Sequence, residues 1–235
     1  VDARIDQVVT SGTCTLDDTE YDVETNTWLV GDDDEVIVID PGHDADAILK
    51  VVDGREVMAV ICTDGNDCHL GAVLEVAAAG EEDEENWAPI ALHRSDRLLW
   101  RDYFGRLAKD EEEEEDAKVI RALEPDIYLE DGGVFEIGGA QLEIVHTPGH
   151  TPGSVSILSE QLGVLFSGDT LHRGRPGSIG EVHDDLRTQL NSIGALLTPL
   201  PKDLRVLPGQ GEETTVGEEN ARWESWGVLA QESDD

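Results

Sequence analysis

Positive charge is scarce in this chain. Of its 235 residues only 16 are Lys or Arg, against 53 Asp or Glu, so the formal net charge is −37. Four of the sixteen are lysines: Lys50, Lys109, Lys118 and Lys202. A charge this negative repels phosphate backbones, which argues against nucleic acid as a partner. Long apolar runs are also missing. None approaches the ~20 residues that span a bilayer, and no basic start leads into an apolar stretch, so neither a membrane partner nor a retained signal peptide is expected. Three cysteines do not make a disulfide framework in a chain of this length. That points to a reducing, cytoplasmic setting. An acidic, lysine-poor surface suits a high-salt cytosol, where screening removes self-repulsion. It equally suits an ordinary acidic protein with a few extreme loops.

What is present is regular. The length suits one larger α/β domain over residues 1–235, or two small ones. The runs Asp110–Asp116 and Glu81–Glu85 are all carboxylates, and such blocks stay solvated as exposed loops or helix ends. Elsewhere short β-branched runs recur: Gln7–Thr10, Thr27–Val30, Val36–Ile39, Val57–Cys62, Pro89–Leu92, Val134–Ile137, Gln141–Val145, Val155–Leu158, Val164–Ser167 and Leu204–Val206. Several are continuous rather than alternating, which predicts strands covered on both faces. Gly138-Gly139 between two such runs reads as a hairpin turn. Helical spacing appears over Asp44–Val52, His69–Ala79, Asp184–Leu197 and Asn220–Leu229, the last with Trp223 and Trp226 on one core-facing stripe. Alternating strands and helices in two successive sets predict a layered α/β sandwich.

Three loops collect metal-capable side chains, each directly after an apolar strand: Thr63–His69, His146–Ser154 and Ser167–Thr170. Loops at strand ends converge along one sheet edge, where α/β proteins place their sites. The second loop also has a plain reading, in which its two Pro-Gly pairs simply make turns. Cys14 and Cys62 read as packing, and His43, His93 and His183 as surface or helix-end residues.

The strand-then-loop layout, Thr-Pro-Gly-His150-Thr-Pro-Gly-Ser, and Phe-Ser-Gly-Asp169-Thr resemble the metallo-β-lactamase superfamily. The likeness runs from Val9-Thr10-Ser11-Gly12 through Val38-Ile39-Asp40-Pro41-Gly42 to Pro208-Gly209-Gln210-Gly211. It is nearest the glyoxalase II-like, thioester-hydrolysing branch, which includes actinobacterial hydrolases associated with low-molecular-weight thiol metabolism. The resemblance implies a four-layer αββα sandwich, a divalent metal, usually zinc, and a small-molecule substrate such as a thioester or related acyl compound.

The resemblance also shows where this chain departs from the family. Members carry His-x-His-x-Asp-His in the first loop, the first two His on one zinc and the Asp-His pair on a second. The matching positions here hold Asp64, Asn66, Cys68 and His69. The His that completes the first zinc is matched by His150, the bridging carboxylate by Asp169, and a late His by Gln210. Neutral amides are poor zinc ligands, so Asn66 and Gln210 are left as hydrogen-bonding residues on the substrate side. Cys68 as a thiolate, with His69 and Asp169, would make a three-ligand site with an open position, the layout of a catalytic zinc. His150 with Asp64 and Asp169 would be a harder, weaker group. One ion is therefore expected rather than two, with complete loss of metal as an equal alternative.

The family's water-orienting Asp is Cys68 here. Asp64 and Asp67 are the nearby carboxylates that could take over, although Asp67 would point the other way in an extended stretch. Cys68 itself has three readings: a metal ligand, an inert buried residue, or a nucleophile with a His base and an orienting acid. His172 and Arg173 follow Asp169 on the segment that lines the substrate pocket in relatives. Arg173 and Arg175 could take a carboxylate or sulfonate, or simply pair with acids in an exposed loop. Two functions follow: a hydrolase with a reduced metal site, or a metal-poor relative that binds a ligand or partner, or catalyses a non-hydrolytic step, in the same cleft. The oligomeric state is left open.

Overall fold

The structure, a computed structural model, describes residues 1–16, 19–79, 86–110, 120, 123–177 and 185–226. The run Glu81–Glu85, residues 111–116 of the second acidic run, and His183 lie outside the described residues.

Two six-stranded sheets form the centre. The first is a simple succession of β1 (Arg4–Leu16), β2 (Thr19–Gly31), β3 (Glu35–Ile39), β4 (Glu56–Ile61), β5 (Ile90–His93) and β6 (Ile127–Leu129), parallel from β3 onward. The second contains β7 (Val134–Ile137), β8 (Ala140–His146), β9 (Val155–Ser159), β10 (Val164–Gly168), β13 (Arg205–Pro208) and β14 (Thr214–Thr215), in the order β14-β13-β10-β9-β8-β7. A two-stranded ribbon, β11 (Leu171–His172) with β12 (Arg175–Pro176), stands beside them. The helices are α1 (Ala45–Val52), α2 (Asp67–Leu70), α3 (Val73–Ala78), α4 (Arg97–Asp110), α5 (Leu186–Leu197) and α6 (Val216–Trp226). No helix among the described residues is long and apolar enough to cross a membrane.

The continuous apolar strands explain the layering. In β3, Ile37 and Ile39 enter the core between the sheets, while Val36 and Val38 meet the helices on the outer face. In β10, Val164 and Phe166 point between the sheets and Leu165 points out to α5 and α6. Strands apolar on both faces need a layer on each side, and the result is the αββα sandwich. Trp226 is buried and Trp223 packs against the same outer core, as their stripe predicted.

Each strand-like run overlaps a strand, and Gly138-Gly139 makes the two-residue turn between β7 and β8. Both glycines have positive φ, +52° and +77°, the conformation such a turn demands. Two expectations change. The helix read as His69–Ala79 starts earlier and is broken, because Ala72 N donates to Pro41 O at 3.0 Å and leaves the helical path with φ −113°. The break pins α2 to the turn after β3. The second change is α4, which the sequence reading did not anticipate, and which ends at Asp110 where the second acidic run begins.

Candidate metal centre

The ends of β3, β4, β8, β10 and β13 meet at one edge of the sandwich and deliver Asp40, Asp64, His150, Asp169 and Gln210 respectively. Cys68 and His69 arrive on α2. Two groups of potential ligands result, Cys68–His69–Asp169 and Asp64–His150–Asp169, each with its donor atoms within 4.8 Å of one another. All five residues are buried, and Asp169 belongs to both groups.

Distances define the arrangement. His69 Nε2 lies 3.2 Å from Asp169 Oδ2 and 3.7 Å from Asp64 Oδ2. His150 Nε2 is 3.7 Å from each of the same two oxygens. His172 Nε2 donates to the other Asp169 oxygen, Oδ1, at 2.8 Å, and the Gln210 amide donates to Oδ2 at 3.0 Å. Gly209 leaves the space these groups use: a Cβ there would lie 2.6 Å from Asp169 Oδ1 and 2.9 Å from His69 Cε1.

Electrostatics follow from burial and crowding. Burial opposes a charged His69, but Asp40, Asp64, Cys68 and Asp169 surround the ring and together hold its pKa well above the usual imidazole range. Burial likewise opposes ionisation of Asp169, yet His69 and His172 win and hold the carboxylate ionised. Asp64 has less help, and burial raises its pKa. The influence of the neighbouring Cys14 thiol, against the cost of burial and with His69 assisting, lowers the Cys68 pKa.

The donor set fits a divalent cation. Three carboxylates and a thiol whose pKa is lowered surround the buried imidazole of His69, so acidic groups outnumber basic ones around it. Asp64 Oδ2 is buried without a hydrogen-bond partner, and both His69 nitrogens face carboxylates without hydrogen-bonding alignment. Such orphaned donors are what a bound ion would satisfy. Cys68, His69 and Asp169 offer a softer set suited to zinc, and Asp64, His150 and Asp169 a harder one.

Not every expected residue joins. Asp67 is turned away from the pocket: its carboxylate pairs with Arg106 at 3.1 Å and accepts from Thr15 N at 3.1 and 3.0 Å. Asp67 and Cys68 are successive residues of α2, about 100° apart around the helix, so Asp67 turns towards β1 and α4 instead of the pocket. Asn66 lies on the ligand side, its amide donating to His150 Nε2 at 2.9 Å. His146 instead stacks on His93, with ring centroids 4.2 Å apart. His172, Arg173, Arg175 and Gln210 do line a cavity of about 860 Å³ that opens beside Asp169. Arg173 also pairs with Glu212 across that cavity.

Three contributors escaped the sequence reading. Asp40, in a left-handed conformation (φ 52°), accepts Thr63 N and Oγ1 at 2.7 Å each and faces His69 Nδ1 at 3.2 Å. A polar residue directly after the apolar run Val36–Ile39 was the available signal. Asp96, fully buried, accepts Gly65 N at 3.0 Å, Thr151 Oγ1 at 2.6 Å and Gly153 N at 2.6 Å, joining the loop that carries Asp64 to the loop that carries His150. Nothing in its charged sequence neighbourhood marks it. Cys14, expected as packing, donates to Asp67 Oδ1 at 3.1 Å.

The chain belongs to the metallo-β-lactamase superfamily, whose family model matches residues 21–209. A protein of Aquifex aeolicus is 32% identical over 206 residues, covering 85% of this chain and 90% of that protein. The hydroxyacylglutathione hydrolase GloC of Haemophilus influenzae is 27% identical over 200 residues, with 83% and 90% covered. Among solved structures, the BLEG-1 B3 metallo-β-lactamase superposes with a TM-score of 0.70 at 28% identity, covering 90% of this chain and 97% of that one. TTHA1623, solved in a di-iron-bound form, gives a TM-score of 0.67 at 28% identity, with 85% and 94% covered. Members of this superfamily generally bind divalent metals, and it is a family of hydrolases.

Proposed function

We propose that this protein is a metal-dependent hydrolase of thioesters or related acyl compounds, a cytoplasmic enzyme acting on a small molecule. Cys68, His69 and Asp169 would hold one divalent ion, zinc or a similar metal, with Asp64 and His150 assisting. The observation that carries the proposal is the pair of buried ligand groups meeting on Asp169, with Asp64 Oδ2 left unsatisfied beside them. The hydrolase relative GloC supports the acyl-thiol substrate class by its name.

An ion held there supplies Lewis-acid chemistry, polarising a carbonyl and lowering the pKa of water from 15.7 to about 7. The protein's own groups arrange the rest. His172 occupies Asp169 Oδ1 and so directs Oδ2 at the two histidines. Asp40 orients the His69 ring from behind. Asp64, whose carboxyl burial biases towards the protonated form, stands 3.7 Å from both His69 Nε2 and His150 Nε2 and is the acid–base candidate. Gln210 links the cavity wall to the ligand cluster, its amide donating to Asp169 Oδ2. Arg173 and Arg175 on the cavity wall are suited to an anionic end of the substrate.

A specific observation favours the second reading, a metal-poor relative that binds a ligand in the cleft. The Asn66 and Gln210 amides bond His150 Nε2 and Asp169 Oδ2, atoms a metal would otherwise use. One experiment separates the two: hydrolysis of a panel of acyl-thiol esters by the protein with zinc, after chelation, and as Cys68→Ser. The hydrolase reading expects turnover that chelation abolishes, zinc restores and the substitution removes. No turnover with any ester, from zinc-treated protein whose cleft still binds acyl-thiols, would establish the second reading instead.

A further inference from the structure

Helix α6 carries a carboxylate that its own packing does not require. Glu219 is fully buried, on the helix whose Val216 and Trp226 join the outer core with α5. Its Oε1 accepts from Thr214 Oγ1 at 2.7 Å and from Arg222 Nη1 at 3.0 Å, and its Oε2 accepts from the backbone N–H of Gly174 at 3.0 Å. Apolar side chains of similar volume often replace a buried ion pair with no loss of stability, so stability alone leaves this carboxylate unexplained. The contact with Gly174 supplies a reason. Gly174 lies 45 positions away, at the tip of the β11–β12 ribbon, in the left-handed conformation with φ +81°. Each strand of that ribbon has two residues, and so short a ribbon is marginal unless something else holds it. Its base is tied by Leu171, which is buried and whose carbonyl accepts from Ser167 Oγ at 2.6 Å. Its tip is tied by Glu219. Arg173 also pairs with Glu212, but these side chains are 45% and 80% exposed, and such pairs contribute little.

We propose that Glu219 is a positioning residue for the cavity beside Asp169: by holding the ribbon tip, it sets Arg173 and Arg175 where an anionic end of the substrate binds. Both arginines line that cavity and flank Gly174 in sequence. Across the ribbon Arg175 pairs with His172, whose Nε2 donates to Asp169 Oδ1 at 2.8 Å. The base of the ribbon is thereby fixed to the ligand cluster and its tip to α6. A backbone N–H held by a carboxylate makes a stronger hydrogen bond than one held by a neutral acceptor, which suits a single anchor. Glu219 touches neither ion nor substrate and acts through the two arginines. The proposal rests on the reading of this cavity as the substrate site, though not on hydrolysis itself.

The test therefore measures binding rather than turnover. The full chain, equilibrated with zinc, is titrated in a calorimeter with two thioethers that cannot be hydrolysed: S-benzyl-3-mercaptopropionate, which ends in a carboxylate, and S-benzyl-N-acetylcysteamine, which is neutral. Wild type should bind the carboxylate compound more tightly. Glu219→Ala should weaken that compound at least about tenfold, the scale of one charge-assisted hydrogen bond, and shift the neutral one by less than about twofold. Glu219→Gln keeps one oxygen for Gly174 and should fall between; it carries the same comparison if the alanine variant does not fold. In an Arg173→Ala/Arg175→Ala background the Glu219 substitution should have no further effect, because the arginines transmit it. A purely structural residue would weaken both compounds alike, or lower the Tm without changing the preference, and either result would overturn the proposal. So would a wild type with no preference for the carboxylate compound, or a Glu219 effect that persists without the arginines. A wild type that shows the preference but hydrolyses no acyl-thiol ester would count against the hydrolase reading while upholding the role of Glu219.

Discussion

Asp96 shows how one buried side chain can organise a site it does not enter. Its oxygens hold Gly65, Thr151 and Gly153, reaching 31 positions back and 57 forward along the chain. Burial, with the Asp64 charge nearby, pushes its pKa up from 3.8 to about 6, despite the three hydrogen bonds that favour the carboxylate. Because the folded value lies above the unfolded one, this group's stabilisation is complete below about pH 4 and is lost as pH rises through about 6. In Asp96→Asn that titration is absent. Urea unfolding of both proteins in chelator between pH 4 and 7 should therefore show the wild type losing up to ~3 kcal/mol relative to the variant as pH rises. Parallel pH profiles would contradict the assignment. The same residue marks the limit of reading a site from sequence. Asp64, Cys68, His69, His150 and Asp169 were legible because each follows an apolar strand in a loop of metal-capable residues. Asp40, Asp96 and Cys14 act through contacts made only by folding, and Cys14 meets Asp67 across 53 positions.

At the scale of elements, strands were easier to read than helices. Continuous apolar runs such as Val36–Ile39 identify a strand buried on both faces without knowledge of its neighbours. In α4 the apolar residues Trp100, Phe104 and Ala108 recur every fourth position, but they sit among Arg97, Arg101, Asp102 and Arg106, and that charge masks the stripe. Trp100 is 1% exposed and packs on Phe104 with ring centroids 4.5 Å apart. Trp100→Ala should accordingly cost about 3–5 kcal/mol in denaturant unfolding, and a loss below 1 kcal/mol would mean that α4 does not pack as described. Helix ends give a smaller, cleaner test. Asp44 caps α1 by accepting Ala47 N at 3.0 Å. Asp44→Ala should cost about 1 kcal/mol, measured the same way, and Asp44→Ser very little.

For the whole molecule, charge is the dominant feature. A net −37 spread over this surface repels itself at low ionic strength, and added salt shortens the screening length to about 3 Å at 1 M. If the acidity is an adaptation to salt, the Tm should climb steeply between dilute buffer and molar potassium chloride. A flat response would assign the acidic runs to local loops instead. The same excess of buried acidic groups at the sandwich edge is what makes a cation fit there. The most direct measurement is zinc binding to metal-free wild type and Asp169→Asn, by calorimetry with elemental analysis after dialysis. The account predicts one ion retained per wild-type chain and binding lost or weakened at least about a hundredfold in the variant, because both ligand groups share that carboxylate. Equal zinc retention by the two proteins, or none by the wild type, would contradict it.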